Sequence, residues 1–106
     1  MAVADVRVVP IGREGTRMGD VVARAYRVAQ TSGLRHELTP TATVLEGEPG
    51  DLLEVARRMH EAVMEGGAGR VVTTVTLDER RDAPTSMGRM VASVMEELAR
   101  ELTPRL

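Results

Sequence analysis

The sequence contains no cysteine, lysine, tryptophan or phenylalanine, and its single aromatic residue is Tyr26. Without cysteine there is no disulfide framework, thiol nucleophile or thiolate metal site. Without lysine there is no side-chain amine for Schiff-base chemistry, and all 14 basic residues are arginine. Single-stranded nucleic acid is held on aromatic platforms and basic stripes. Here the arginines are scattered and the net charge is −2, so no nucleic-acid partner is expected. No apolar run approaches the roughly 18 residues of a membrane span, so no membrane partner is expected. The opening Met1-Ala2-Val3-Ala4-Asp5 lacks the basic-then-apolar pattern of a secretory signal. A soluble, cytoplasmic protein is the expectation.

What is present suits one globular domain over 1–106, with 42% apolar residues and seven methionines to fill gaps that Phe would otherwise occupy. Val3–Val9 alternates as a half-buried strand, ended by Pro10-Ile11-Gly12. Arg13–Arg17 reads as a polar loop. Helical spacing of Val21, Val22, Ala25, Val28 and Ala29 predicts a helix over Gly19–Ser32, with Gly33 as its C′ residue. Two short strands, His36–Thr39 and Thr41–Glu46, are expected around Pro40. Asp51-Leu52-Leu53-Glu54 resembles a capping box that opens a second helix, stopped at Gly66-Gly67. Arg70–Asp78 is the clearest strand. Pro84-Thr85-Ser86 introduces a last helix with Met87, Val91, Val94, Leu98 and Leu102 on one side. The order predicts an α+β fold, a ferredoxin-like βαββαβ sandwich with an additional C-terminal helix.

Such a sheet leaves one face uncovered. Period-two alternation places Asp5, Arg7, Glu37, Thr39, Thr41, Thr43, Leu45, Val72, Thr74 and Thr76 on it. Two readings are open. The face touches water or another subunit, or its hydroxyls and carboxylates line a polar pocket. The apolar stripe of the last helix needs a cover too, either this face or a neighbouring subunit. No catalytic set is visible. His60 has no second histidine four residues on, the serines lack a nucleophile elbow, and the glycines of Gly12–Gly19 form no phosphate loop. Asp78-Glu79-Arg80-Arg81-Asp82 reads as a solvated turn laced with ion pairs, or as an anion or subunit contact.

Several short motifs then fall in a specific order. They are Val8-Val9-Pro10-Ile11-Gly12, Ser32-Gly33-Leu34, Glu37-Leu38-Thr39-Pro40, Thr43-Val44, Glu46-Gly47, Met59-His60-Glu61-Ala62-Val63, Arg70-Val71-Val72-Thr73-Thr74 and Asp78-Glu79-Arg80-Arg81-Asp82. In this order the sequence resembles the small thiamine-binding protein family of the YkoF-like superfamily, over about Val3 to Leu98. The resemblance implies a ferredoxin-like fold, self-association into homodimers or homotetramers, and binding of thiamine or its hydroxymethylpyrimidine moiety. It implies no cofactor, no metal and no enzymatic reaction. Glu37, Thr39 and Thr43 match the family pattern, Asp5 occupies an acidic position, and Arg81 and Asp82 are further candidates for ligand binding. Thr41 and Ala42 stand where the family often has Met-Gly, His36 replaces a frequent Tyr, and Arg7 replaces a small residue. These departures bear on the ligand and leave the fold unaffected. Two other readings stand beside this one. The first is a structural or regulatory homo-oligomer holding a small anion through Arg7, Arg80 or Arg81. The second is an enzyme with Asp5 or Glu37 as base.

Overall fold

Small apolar residues at every second position let the first strand lie close beneath two helices. In a computed structural model that describes residues 1–12 and 18–102, β1 spans Ala2–Pro10 and buries Ala2, Ala4 and Val6 on its helix side. The loop expected over Arg13–Arg17 lies outside the described residues. Next come α1 (Gly19–Gln30), β2 (Arg35–Leu38), β3 (Thr43–Gly47), α2 (Pro49–Glu65), β4 (Val71–Asp78) and α3 (Met87–Leu102). The strands form one antiparallel sheet in the order β2-β3-β1-β4, so each βαβ half is split by a strand of the other. This is the expected ferredoxin-like α+β arrangement, with α3 added.

The core lies between the sheet and the first two helices. Val21, Ala25 and Ala29 of α1 and Leu52, Val55, Ala56, Met59 and Val63 of α2 meet Val6 and Leu45 there. Alanine keeps the helices close to the sheet, while Met59 and Leu52 fill the depth. His60 is half-buried, its Nδ1 lying 2.6 Å from the Thr73 hydroxyl, which ties α2 to β4. Tyr26 packs edge-on against His36, with ring centroids 5.6 Å apart.

Several local expectations shift. The short strands sit at 35–38 and 43–47, because Thr39–Ala42 forms the turn between them. The capping box does not form. α2 starts earlier, at Pro49, whose fixed φ suits a first helical position, and Asp51 lies in the first turn. Helix α1 ends at Gln30, so Gly33 (φ 81°) reverses the chain two residues beyond Thr31, the C-cap, and is not the C′ residue.

The most consequential shift concerns β3. Its register pairs Leu45 with Ala4 and Thr43 with Val6, which turns both toward the helices and away from the open face. Thr41 lies in the turn. The open face instead carries Val44 and Glu46 from β3, beside Asp5, Arg7, Glu37, Val72, Thr74 and Thr76.

Glu46 also holds the last helix. It is only 8% exposed, and one carboxylate oxygen accepts the Met87 backbone N–H at 2.8 Å. A carboxylate at this position satisfies an otherwise orphaned first-turn donor and faces the positive end of the helix dipole. Ser86 accepts the Arg89 N–H as a side-chain cap. Beyond Met87 the helix buries nothing: Val91, Val94 and Met95 are about 60% exposed and Leu98 is 47% exposed. The radius of gyration is accordingly 16.7 Å. A compact domain of this length has roughly 13 Å.

Along α2, Arg57 bridges Glu54 and Glu61. Its hydrogen bonds hold the Glu54 carboxyl down at about 2, against an ordinary value of 4.5. A depressed carboxylate contributes stability above its ordinary pKa and loses it as pH falls through the folded value. The pair should therefore persist at neutral pH and weaken between pH 4.5 and about 2. An NMR pH titration of the Glu54 carboxyl should find its midpoint near the low end of that window. Arg57→Gln should raise it toward the ordinary glutamate range, with Arg58 still holding it somewhat lower.

Candidate functional site

The two neighbours of β1 are unequal in length. β1 pairs with β3 only over Ala2–Val6, but with β4 over Val3–Pro10. From Arg7 onward its β3-side edge therefore has no strand beside it among the described residues. The β2–β3 turn and the start of α1 border the resulting gap, which is a cavity of about 270 Å³.

Its walls are largely apolar: Val6, Val8, Met18, Val22, Ala25 and Met59 contribute. The polar contributions come from Thr39, Thr41, Thr43 and Arg7. A small, mostly apolar hollow with a few polar groups is the usual form of a small-molecule site. No Asp, Glu, His or aromatic residue is among its described lining residues.

The threonines differ in how they are used. Thr39 is consumed by the turn. Its backbone N–H and its hydroxyl both donate to the Ala42 carbonyl at 2.9 Å, and the hydroxyl accepts the Ala42 N–H at 3.1 Å. Pro40 follows at the position where its fixed φ favours a turn. Thr43 is the last β3 residue paired with β1 and is only 4% exposed. No hydrogen bond to its hydroxyl occurs among the described residues. The hydroxyl is not among the fully buried polar atoms left without a partner, so solvent, or a ligand in its place, meets it at the cavity wall.

The structure therefore divides the residues singled out in the sequence. Thr39 and Thr43 line the cavity. Asp5 and Glu37 do not; they lie exposed on the open face, in one row with Val44 between them. Arg81 and Asp82 follow β4 at the opposite end of β1, since Asp78 pairs with Val3. Asp82 is engaged there by Arg80, whose Nε and Nη2 donate to it at 2.8 and 2.6 Å. This pairing lowers the Asp82 carboxyl below its usual range. Arg81 is exposed. Tyr26 sits against His36 and does not reach the cavity. Sequence reasoning missed Met18, Val22 and Leu38 as lining residues and missed Glu46 as the anchor of α3. The pattern of a single strand carries no signal for where its neighbour stops. Among the described residues no group of three or more His, Cys, Asp or Glu side chains is placed to hold a metal ion. Among the described residues no helix is long and apolar enough to cross a membrane.

Fold and cavity together define a class: a four-stranded ferredoxin-like α+β chain with a small, apolar-walled cleft at the end of its first strand. A family model described as thiamine-binding protein matches residues 4–95, and the chain belongs to that family. It is 37% identical to the UPF0045 protein YqgV of Bacillus subtilis over 102 residues, covering 92% of this chain and 98% of the relative. A UPF0045 protein of Methanothermobacter thermautotrophicus is 36% identical over 99 residues, 92% of this chain and 100% of the relative. Among solved structures, the hypothetical protein MJ1052 of Methanocaldococcus jannaschii superposes with a TM-score of 0.83 at 29% identity, covering 90% of this chain and 96% of that one. A Thermotoga maritima protein, whose name connects it with thiamine biosynthesis or salvage, shares the fold with a TM-score of 0.76. The match is at 22% identity and covers 88% of this chain and 97% of that one.

The two threonines should respond differently to removal of their hydroxyls. Thr39→Val breaks the turn's side-chain hydrogen bonds and should cost about 1 kcal/mol in chemical denaturation. Thr43→Val removes a hydroxyl that no described residue uses, and should leave stability unchanged or raise it by a few tenths of a kcal/mol (~0.5).

Proposed function

We propose that this chain acts as a single-domain, non-catalytic binding protein. Its ligand is thiamine or the hydroxymethylpyrimidine moiety of thiamine, held in the cavity beneath the β2–β3 turn. The observation that carries the reading is the apolar-walled cavity itself, with Thr43 at its wall making no side-chain hydrogen bond among the described residues. An aminopyrimidine has an apolar ring face for Val6, Val8, Ala25 and Met59, and edge nitrogens for a hydroxyl. The family assignment supports the same ligand class. Binding in place of catalysis is supported by the description of the family as a binding protein. Thr39 shapes the wall, and Thr43 makes the contact. Asp5 and Glu37 serve the open face.

The working form is a homo-oligomer, dimer or tetramer. Support comes from α3, an amphipathic helix whose apolar stripe is exposed from Met90 to Leu98. A helix of 16 residues is marginal alone in water and gains most of its stability from packing an apolar face. A second copy offers its open sheet face, where Val44 stands between Asp5 and Glu37 and Val72 lies on the same face of β4 as Thr74, or its own α3. Large contiguous apolar patches of this kind mark association sites.

Isothermal titration should detect both thiamine and hydroxymethylpyrimidine, and Thr43→Val should weaken the pyrimidine by about fivefold or more, the worth of one hydrogen bond. No heat and no thermal shift with either compound at millimolar concentration would remove this reading. In sedimentation velocity the chain should run well above its 11.5 kDa monomer mass. The double substitution Val94→Glu, Leu98→Glu should return it to a monomer; a wild-type monomer at tens of micromolar would rule out the assembly.

A further inference from the structure

We infer that the cavity selects an aminopyrimidine carrying a phosphate monoester over the cationic thiamine, with Arg7 as the residue that reads the charge. The inference rests on the binding reading above and specifies its ligand class. Arg7 is the charged residue among the described residues that line the cavity, and no carboxylate there offsets it. It stands exposed on β1, opposite Thr74 in register, in the stretch where the strand has lost its β3 neighbour. Arg57, Arg80 and Arg100 are each held by carboxylates, but Arg7 has neither an ion pair nor a hydrogen bond among the described residues. Asp5, two residues away on the same face, does not pair with it and does not line the cavity.

Thiamine brings a permanent positive charge on its thiazolium ring. Placing that charge near the exposed Arg7 guanidinium at the cavity's edge is unfavourable on Coulombic grounds. A phosphate monoester reverses the sign of the interaction. Guanidinium presents a planar fork that matches phosphate oxygens two at a time, and such charge-assisted bonds are about twice as strong as neutral ones. In this arrangement the ring enters between Val8 and Met59, its edge meets Thr43, and the ester remains at the solvent side with Arg7.

The test is calorimetric titration of the wild-type chain, Arg7→Gln, Arg7→Lys and Thr43→Val. Four probes are used: hydroxymethylpyrimidine, its monophosphate, thiamine and inorganic phosphate. The monophosphate should bind the wild-type chain at least about tenfold more tightly than either the alcohol or thiamine, with a preference that shrinks as salt is raised. Arg7→Gln should erase that preference and leave the alcohol unchanged; Arg7→Lys should fall between. Thr43→Val should weaken the alcohol and its monophosphate together. Thiamine binding as tightly as the monophosphate, or a monophosphate affinity indifferent to Arg7→Gln, overturns the charge selection. The pyrimidine reading then stands, because alcohol binding and its dependence on Thr43 remain. Inorganic phosphate binding as tightly as the ester overturns it in favour of a plain anion site. If no pyrimidine binds at all, both readings fall. Arg7 is solvent-exposed, and thermal melts of its variants separate lost binding from lost folding.

Discussion

The last backbone pair between β1 and β3, Val6 with Thr43, is the constraint on which the rest of the cavity end of the molecule depends. β1 continues four residues further against β4, so the sheet narrows from four strands while its central strand is still running. A longer β3 would fill the gap with its own side chains and backbone. Because it stops, the turn at Thr39–Ala42 folds over the opening, and Thr43 is left buried at the cavity wall. Arg7, which alternation places on the other side of the sheet, lines the same hollow because no strand screens it there. One unmatched strand end thus assembles residues from β1, the β2–β3 turn, β3 and both core helices.

At the opposite end of β1 a single buried carboxylate governs the last helix. Glu46 reaches across the open face to the first turn of α3, 41 residues along the chain. Val3, beside Glu46 in register, is buried at the same place. Past that point the helix leaves the domain, and Val91, Val94, Met95 and Leu98 stay exposed. The two ends therefore have separate characters. One is a concave, apolar-walled hollow, and the other is an anchored, projecting amphipathic helix.

Most of the architecture was legible along the chain. Alternation in Val3–Val9 and Arg70–Asp78, and the helical stripes of α1 and α2, required only local periodicity, and each element appears within a few residues of its expected bounds. The failures are informative. Apolar residues fall on both parities of the third strand, Val44 and Leu45 alike, so alternation alone could not choose its face. Reading the strand from Thr41 instead of Thr43 went with the wrong choice, and in a period-two element the wrong face moves every side chain across the sheet. The capping box at Asp51 was a plausible local signal overridden by Pro49, which began the helix earlier. Glu37 and Thr39 shared a parity, yet the turn separated them, sending one to the open face and the other to the cavity wall.

By itself the sequence determined the kinds of elements, their order and the family, because these follow from hydrophobic periodicity, turn residues and the succession of short motifs. It also fixed the absence of cysteine and lysine chemistry. Tertiary structure alone decided that Thr43 stands with Arg7 at one hollow, that Asp5 and Glu37 stand elsewhere, and that Glu46 restrains α3. Those facts depend on strand register and on where one strand outruns its neighbour. Register is a relation between distant segments, set when both bury their apolar sides at once, and no single segment contains it.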